Sequence, residues 1–201
     1  MSLIGCKHLV ASPVATYTEG SGITYGTGFV VGPLVAVNLS FNVADNPDFG
    51  DDVELDNDDG INGYNGTMDM NKIALENRAK LLNWKTTGTT DIVYHVTDAM
   101  PKEHGWGYYR VMMDSGVKTV EAMWFHRAKF TQQSMSDNTK KRSIEWGHPQ
   151  LAVNGIGAIL DGSGDAEWFI PKVFTGVTAE ADAAAWLDTK AGVPSTPAAT
   201  T

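Results

Sequence analysis

The five histidines are the side chains best suited to acid–base catalysis or metal binding, and their spacing predicts neither. They stand at positions 8, 95, 104, 126 and 148, and no two have the i, i+4 spacing of a helical zinc site. Ser163 lies between glycines, but Asp161 and Asp165 occupy the outer positions where a nucleophile elbow requires glycine. The glycines at 26, 28 and 32 miss the dinucleotide-binding spacing by one residue, and no helical pattern follows them. We therefore predict no catalytic residues and no cofactor.

A cluster of carboxylates suggests calcium binding, because calcium prefers hard oxygen ligands. Aligning Gly60 with the required glycine of an EF-hand loop places Leu55 at position 1 and Gly66 at position 12, so both anchoring carboxylates are missing. We predict no metal site, and keep a calcium-dependent β-sandwich binding or adhesin module as the alternative function. The eight acids of the cluster are Asp45, Asp48, Asp51, Asp52, Glu54, Asp56, Asp58 and Asp59.

The net charge of the chain is concentrated in its first third. The 201 residues carry a formal charge of −9, and residues 1–70 supply all of it, with ten acids against one base, Lys7. Such a balance argues against a protein that grips nucleic acid phosphates or docks on an anionic membrane. Pro47, Gly50 and Gly60 punctuate the acidic stretch, so we predict a long exposed loop over about residues 45–63. Lys140, Lys141 and Arg142 form a small basic group that could complement the acidic loop of a neighbour.

The N-terminal segment and the cysteine content indicate the compartment. Cys6 is the only cysteine, which excludes an internal disulfide. The first residues lack the pattern of a signal peptide, and no apolar run reaches the length of a transmembrane helix. We expect a soluble protein made in a reducing compartment.

Most of the chain has the period-two alternation of β-strands. Val35, Val37, Leu39, Phe41 and Val43 alternate with small or polar residues across 34–43, and Asp114-Ser-Gly116 predicts a hairpin turn between strands 108–113 and 117–130. Helical spacing appears over 72–84 and 178–191 only. The predicted fold class is α+β, mostly β: a β-sandwich or barrel with one packed helix, a C-terminal helix and a flexible arm over 193–201. Residues 1–192 form one domain in this interpretation. Further strands are predicted over 64–70, 92–97, 143–146, 151–159 and 167–174.

The strand over 117–130 has apolar residues on both faces. A regular strand would put Val120, Ala122, Trp124, Ala128 and Phe130 together on the core side. The second apolar face of such a strand commonly packs against a partner. We therefore predict an intersubunit contact at outward or edge positions, formed by Met112, Met113, Met123 and Phe125.

An ordered string of residues from about 64 to 190 resembles the major tail (tail tube) proteins of long-tailed, siphovirus-type bacteriophages. Gly105-Trp-Gly-Tyr-Tyr-Arg110 is followed by Val120-Glu-Ala-Met-Trp-Phe-His-Arg-Ala-Lys-Phe130 and by Ile144-Glu-Trp146. The remaining segments are Phe174-Thr-Gly-Val-Thr, the group Ala184, Trp186 and Leu187, and the strand and helix over Gly66–Leu82.

The resemblance implies a structural subunit rather than an enzyme. Proteins of this family are β-sandwiches or barrels that assemble into stacked, usually hexameric rings, and the tube conducts the genome to the host. The implied partners are other copies of the chain, a tape-measure protein, and tail terminator and tip proteins. DNA would pass through the lumen without specific binding, and the implied location is the virion, after assembly in the host cytoplasm. In this scheme the acidic loop and Lys140–Arg142 join rings, and the methionine-rich face joins subunits within a ring.

Overall fold

The structure, a computed structural model, describes residues 2–43, 47–50, 53–57, 61–88, 93–95, 100–114, 116–134 and 148–194. The chain is mostly β with two helices, which confirms the predicted fold class. The strands are β1 (Ser2–Thr18), β2 (Gly22–Tyr25), β3 (Phe29–Gly32), β4 (Leu34–Val43), β5 (Pro47–Gly50), β6 (Val53–Asn57), β7 (Ile61–Met70), β8 (Lys85–Thr87), β9 (Val93–His95), β10 (Glu103–Asp114), β11 (Val117–Ser134), β12 (Gln150–Gly155) and β13 (Phe169–Thr175). The helices are α1 (Leu75–Leu81) and α2 (Ala179–Ala191).

One antiparallel sheet of nine strands organises the molecule. Its path runs β2-β1-β10-β11-β12-β7-β4, with β13 also paired to β11 and β3 to β1. The sheet curls, because side chains from both β1 and β4 pack on one core and the Cys6 thiol lies 3.9 Å from the Val35 carbonyl oxygen. Two small hairpins, β5–β6 and β8–β9, lie outside this sheet.

A bulge in β11 changes which residues face the core. Trp106 pairs with Phe125 and His104 pairs with Ala128, so His126 and Arg127 together oppose the single residue Gly105. An extra residue shifts the side-chain alternation by one. Ala128 and Phe130 therefore join the face of Phe125, and the prediction that they share a face with Trp124 is wrong.

The two faces of β11 belong to two separate cores. The first core lies inside the curled sheet and contains Tyr64, Trp106, Phe125 and Phe130, each at most 1% exposed. The second core lies between the sheet and α2, where Trp124 meets an alanine- and leucine-lined helix face. Helix α2 therefore covers the second apolar face from within the same chain.

Glycine permits the close approach of α2 to the sheet. A Cβ on Gly107 of β10 would lie 2.7 Å from Leu187 Cδ2 and 2.6 Å from the Met123 carbonyl oxygen. The helix ends at Gly192, whose φ of 66° is the left-handed conformation that favours glycine. The predicted bounds of this helix, 178–191, are confirmed to within one residue.

Two predicted segments differ from the structure. Helix α1 is shorter than the predicted 72–84; Leu75 at its start is 47% exposed, while Leu81 and Leu82 are buried. The predicted loop over 45–63 contains the hairpin β5–β6 and the start of β7. This hairpin stands apart from the main sheet.

Candidate assembly surfaces

The four residues predicted for an intersubunit contact divide into two pairs. Met123 and Phe125 are 7% and 1% exposed and belong to the first core, so their prediction as outward or edge residues is wrong. The reason is that both faces of β11 are covered within the chain, one by the curled sheet and the other by α2. Met112 is partly buried, and Met113, near the end of β10, is 37% exposed and remains on the surface.

The acidic residues predicted for ring-to-ring contact are described only in part. Asp48 lies on β5, and Glu54 and Asp56 lie on β6. Asp48 and Asp56 are direct cross-strand partners. The other predicted residues of this contact, Asp45, Asp51, Asp52, Asp58, Asp59, Lys140, Lys141 and Arg142, lie outside the described residues.

Exposed apolar side chains gather where β1 begins and β10 meets β11. Leu3 and Ile4 are 66% and 59% exposed, and Val117 is 60% exposed. The register brings them together, because Ser2 pairs with Met113 and Asp114 pairs with Val117. Sequence patterning missed Leu3 and Ile4, since no strand was predicted there.

A second apolar site lies at the end of β4, the last strand of the sheet path. Val43 and its partner Ile61 on β7 are 55% and 45% exposed. Among the described strands, only β7 pairs with β4. An edge strand with exposed apolar side chains can template pairing with another chain.

A carboxylate of α2 connects the helix to the sheet. Glu180 receives hydrogen bonds from Lys7 Nζ at 2.8 Å, from Lys118 Nζ and from the Tyr109 hydroxyl at 3.3 Å. The lysine hydrogen bonds, Lys118 first and Lys7 second, lower the pKa of Glu180 to about 2. A lowered carboxyl pKa means that this contribution to stability is complete above the ordinary value and is lost as the pH falls toward 2.

We expect Glu180→Gln to lower the free energy of unfolding at pH 7 by about 1 kcal/mol, because the variant loses a partly exposed, multiply paired charge. Urea unfolding followed by circular dichroism measures the change. Glu19→Gln is the matched control, since Glu19 is exposed and makes no ion pair to another described residue. Equal losses in the two variants would contradict a specific role for Glu180.

A buried histidine lies at the bulge of β11. His126 is 3% exposed, and its Nε2 has no hydrogen-bond partner among the described residues and lies 3.6 Å from Glu167 Oε2. The Tyr25 hydroxyl is 3.4 Å from Nδ1 and donates a hydrogen bond to the His126 carbonyl oxygen at 3.1 Å. Burial, with a smaller effect of Lys190, lowers the pKa of His126 to about 4. The imidazole is therefore neutral at pH 7.

Among the described residues, no group of three or more His, Cys, Asp or Glu side chains could hold a metal ion. Nor does any helix in this part of the chain have the length and apolar character needed to cross a bilayer.

The described residues thus offer two exposed apolar surfaces, a charged contact between α2 and the sheet, and two buried imidazoles, those of His104 and His126. No protein-family model matches the chain, and no curated protein matches it.

Proposed function

We propose that this chain is a structural subunit of a bacteriophage tail tube, without catalytic activity. Copies would associate into rings, six subunits each by the resemblance, and rings would stack into a conduit for the genome. The partners proposed are other copies of the chain, a tape-measure protein, and tail terminator and tip proteins. The proposed location is the virion, and DNA would pass through without specific contacts.

The observation that carries the proposal is the apolar edge at the end of β4. Burying apolar surface contributes about 25 cal/mol per Å² removed from water. Val43 lies on β4, whose only described partner is β7, and Val43 and its partner Ile61 on β7 both leave such surface exposed. A second copy pairing there would cover both the side chains and the backbone groups of the edge.

The placement of the resembling segments also supports the proposal. Trp106 belongs to the first core, and Trp124 and Leu187 of α2 belong to the second. The segments that resemble the family thus contribute core residues of the sheet and of the helix that covers it. This is expected where a family shares a fold.

Electron microscopy of the purified chain at high concentration, with and without tail nucleating components, tests the proposal. We expect rings or tubes. A chain that stays monomeric under all these conditions, by analytical ultracentrifugation, would overturn it.

The exposed edge of β4 leads to a more specific prediction. We expect Val43→Lys to raise the concentration needed for assembly by about tenfold, because a lysine on an edge strand opposes pairing with another chain. Val177→Lys is the matched control, since Val177 is fully exposed and lies in the turn before α2. Sedimentation measures assembly, and thermal unfolding checks that both variants fold. If the two variants assemble equally, the edge of β4 is not the contact.

A further inference from the structure

The segment between β12 and β13 crosses the bulge of β11 and reaches the turn between β1 and β2. Ile156 N–H donates a hydrogen bond to the Arg127 carbonyl oxygen at 2.9 Å, and Ile159 N–H donates to the Tyr17 hydroxyl at 3.0 Å. The Ile159 carbonyl oxygen accepts a hydrogen bond from the backbone of that turn, also at 3.0 Å. We name this segment, residues 156–168, the strap.

The strap lies directly against His126. The backbone N–H of His126 donates to the Trp168 carbonyl oxygen at 3.2 Å, and its Nε2 lies 3.6 Å from Glu167 Oε2. The imidazole is almost completely buried, yet its Nε2 has no hydrogen-bond partner among the described residues. Burying a charge without a hydrogen-bond partner is costly, so this site favours the neutral ring over the imidazolium.

The charged and titratable groups around the imidazole come from several elements. Tyr25 of β2 places its hydroxyl 3.4 Å from Nδ1 and stays neutral, because burial raises its pKa to about 12. Lys190 of α2 opposes a positive charge on the ring. Arg127, the next residue of β11, is paired with Glu103 of β10 at 2.8 Å. Glu167 of the strap would attract an imidazolium, but its carboxylate is about half exposed to water.

The strap is the least firmly held of the elements that surround the imidazole. Residues 161–167 are all exposed, and an isolated bridge joins Ala158 to Glu167. By contrast, every residue of β2 pairs with β1, and α2 buries Ala183 and Leu187 in the second core. Segments with few buried contacts and few backbone hydrogen bonds open locally at a lower free energy than the core. Opening of the strap is therefore the easiest way to admit water to the ring.

We propose that the strap is an acid-opened lid over His126. In the closed form the ring is buried, and its pKa is lowered to about 4, first by burial and then by Lys190. In the open form water solvates the ring, which then protonates near its ordinary pKa of 6.5. The open form binds the proton more readily, so each pH unit between 6.5 and 4 shifts the balance toward it by up to about tenfold. The inference concerns one copy of the chain and does not depend on the proposed function.

Hydrogen exchange of the full chain at pH 7 and pH 5 tests the lid. The reporter amides are those of Ala158, Ile159 and Glu167, whose N–H groups are hydrogen-bonded in the closed strap. Their protection factors, which exclude the intrinsic effect of pH on exchange, should fall about twentyfold, given the closed and open pKa values. Low concentrations of urea should leave these rates unchanged, because local opening exposes little surface.

Replacement of the ring tests whether His126 causes the response. His126→Phe has no group that titrates, so strap protection should change less than about twofold between pH 7 and pH 5. His104→Phe is the matched control, because His104 is also buried but its Nδ1 lies against the Lys102 carbonyl oxygen, outside the strap. This control should keep the twentyfold fall, and circular dichroism verifies that both variants fold.

A pair of lysine variants gives a second test at side chains outside the cores. Lys190→Met removes a charge that opposes the imidazolium, so the fall in strap protection should be smaller than in the unaltered chain. Lys172→Met is the matched control, because both lysine Nζ atoms lie near the Trp186 ring, at 5.7 Å for Lys190 and 5.8 Å for Lys172. The control should show the full fall.

Three results would overturn the lid. The first is strap protection that does not change between pH 7 and pH 5. The second is an equal fall in His126→Phe and in the unaltered chain. The third is strap amides that exchange at the same rate, and with the same dependence on urea, as the amide of fully buried Val120 in β11, because the strap would then open only when the whole chain unfolds.

Discussion

Trp106→Ala should lower the free energy of unfolding by about 4 kcal/mol, the largest loss we expect from a single substitution. Trp106 is fully buried, stacks on Phe125 with ring centres 4.3 Å apart, and donates Nε1–H to the Tyr64 hydroxyl at 2.9 Å. Truncation removes apolar burial, leaves a cavity inside the curled sheet, and deprives the buried Tyr64 hydroxyl of its donor. Urea unfolding followed by far-ultraviolet circular dichroism measures the loss.

Two variants divide that effect into its parts. Tyr64→Phe removes the hydroxyl and keeps the ring, so it should cost about 1–3 kcal/mol by leaving the indole N–H unsatisfied. Trp186→Ala is the matched tryptophan control, because Trp186 is only partly buried on α2 and should cost less than half as much as Trp106→Ala. If Trp106→Ala costs no more than Trp186→Ala, the aromatic interior does not carry the stability assigned to it here.

Local pattern predicted the elements whose side chains alternate without interruption. The alternation over 34–43 coincides with β4, and the Asp114-Ser-Gly116 turn lies between β10 and β11 as predicted. Helix α2 was predicted closely because its acids, its basic residue and Gly192 mark both ends.

Irregular strands explain where the sequence pattern failed to predict the fold. No pattern predicted β1, although it pairs with β10, β2 and β3. Its register shifts between Leu3 and Gly5 and again between Lys7 and Val10, where His8 has a φ of 58°. Four consecutive residues, Leu9–Ser12, are then buried, because the strand is covered on both faces. A bulge and two-sided burial both erase the period-two signal that sequence analysis depends on.

The candidate surfaces were less predictable than the fold. Met123 and Phe125 were assigned to a partner because their strand is apolar on both faces, yet α2, more than 50 residues along the chain, covers the other face. The sequence alone does not indicate which distant element covers that face.

Acidification from pH 7 to pH 4 should remove up to about 3 kcal/mol of stability through His126 alone. Burial lowers the pKa of His126 to about 4, from an ordinary value of 6.5. Between these two values the unfolded chain binds the proton and the folded chain does not, so the free energy of unfolding falls as the pH decreases across this window. Above pH 6.5 the contribution is complete, and below about 4 the loss is complete.

The groups around the His126 imidazole limit how much stability its protonation removes. Tyr25 faces Nδ1 and stays neutral in this range, since burial raises the pKa of its hydroxyl to about 12. Lys190 opposes protonation, whereas Glu167 at 3.6 Å would pair with the imidazolium and recover part of the loss.

Replacement of the histidine isolates its contribution from that of the carboxylates. His126→Phe keeps a ring in the buried site and has no group that titrates, so its unfolding free energy should depend less on pH between 6.5 and 4 than that of the unaltered chain. His148→Gln should leave the dependence unchanged, because His148 is exposed. Urea unfolding at half-unit pH steps gives the three curves. If the curve of His126→Phe parallels that of the unaltered chain, the folded and unfolded states protonate His126 alike, and the bulge of β11 holds no buried neutral imidazole.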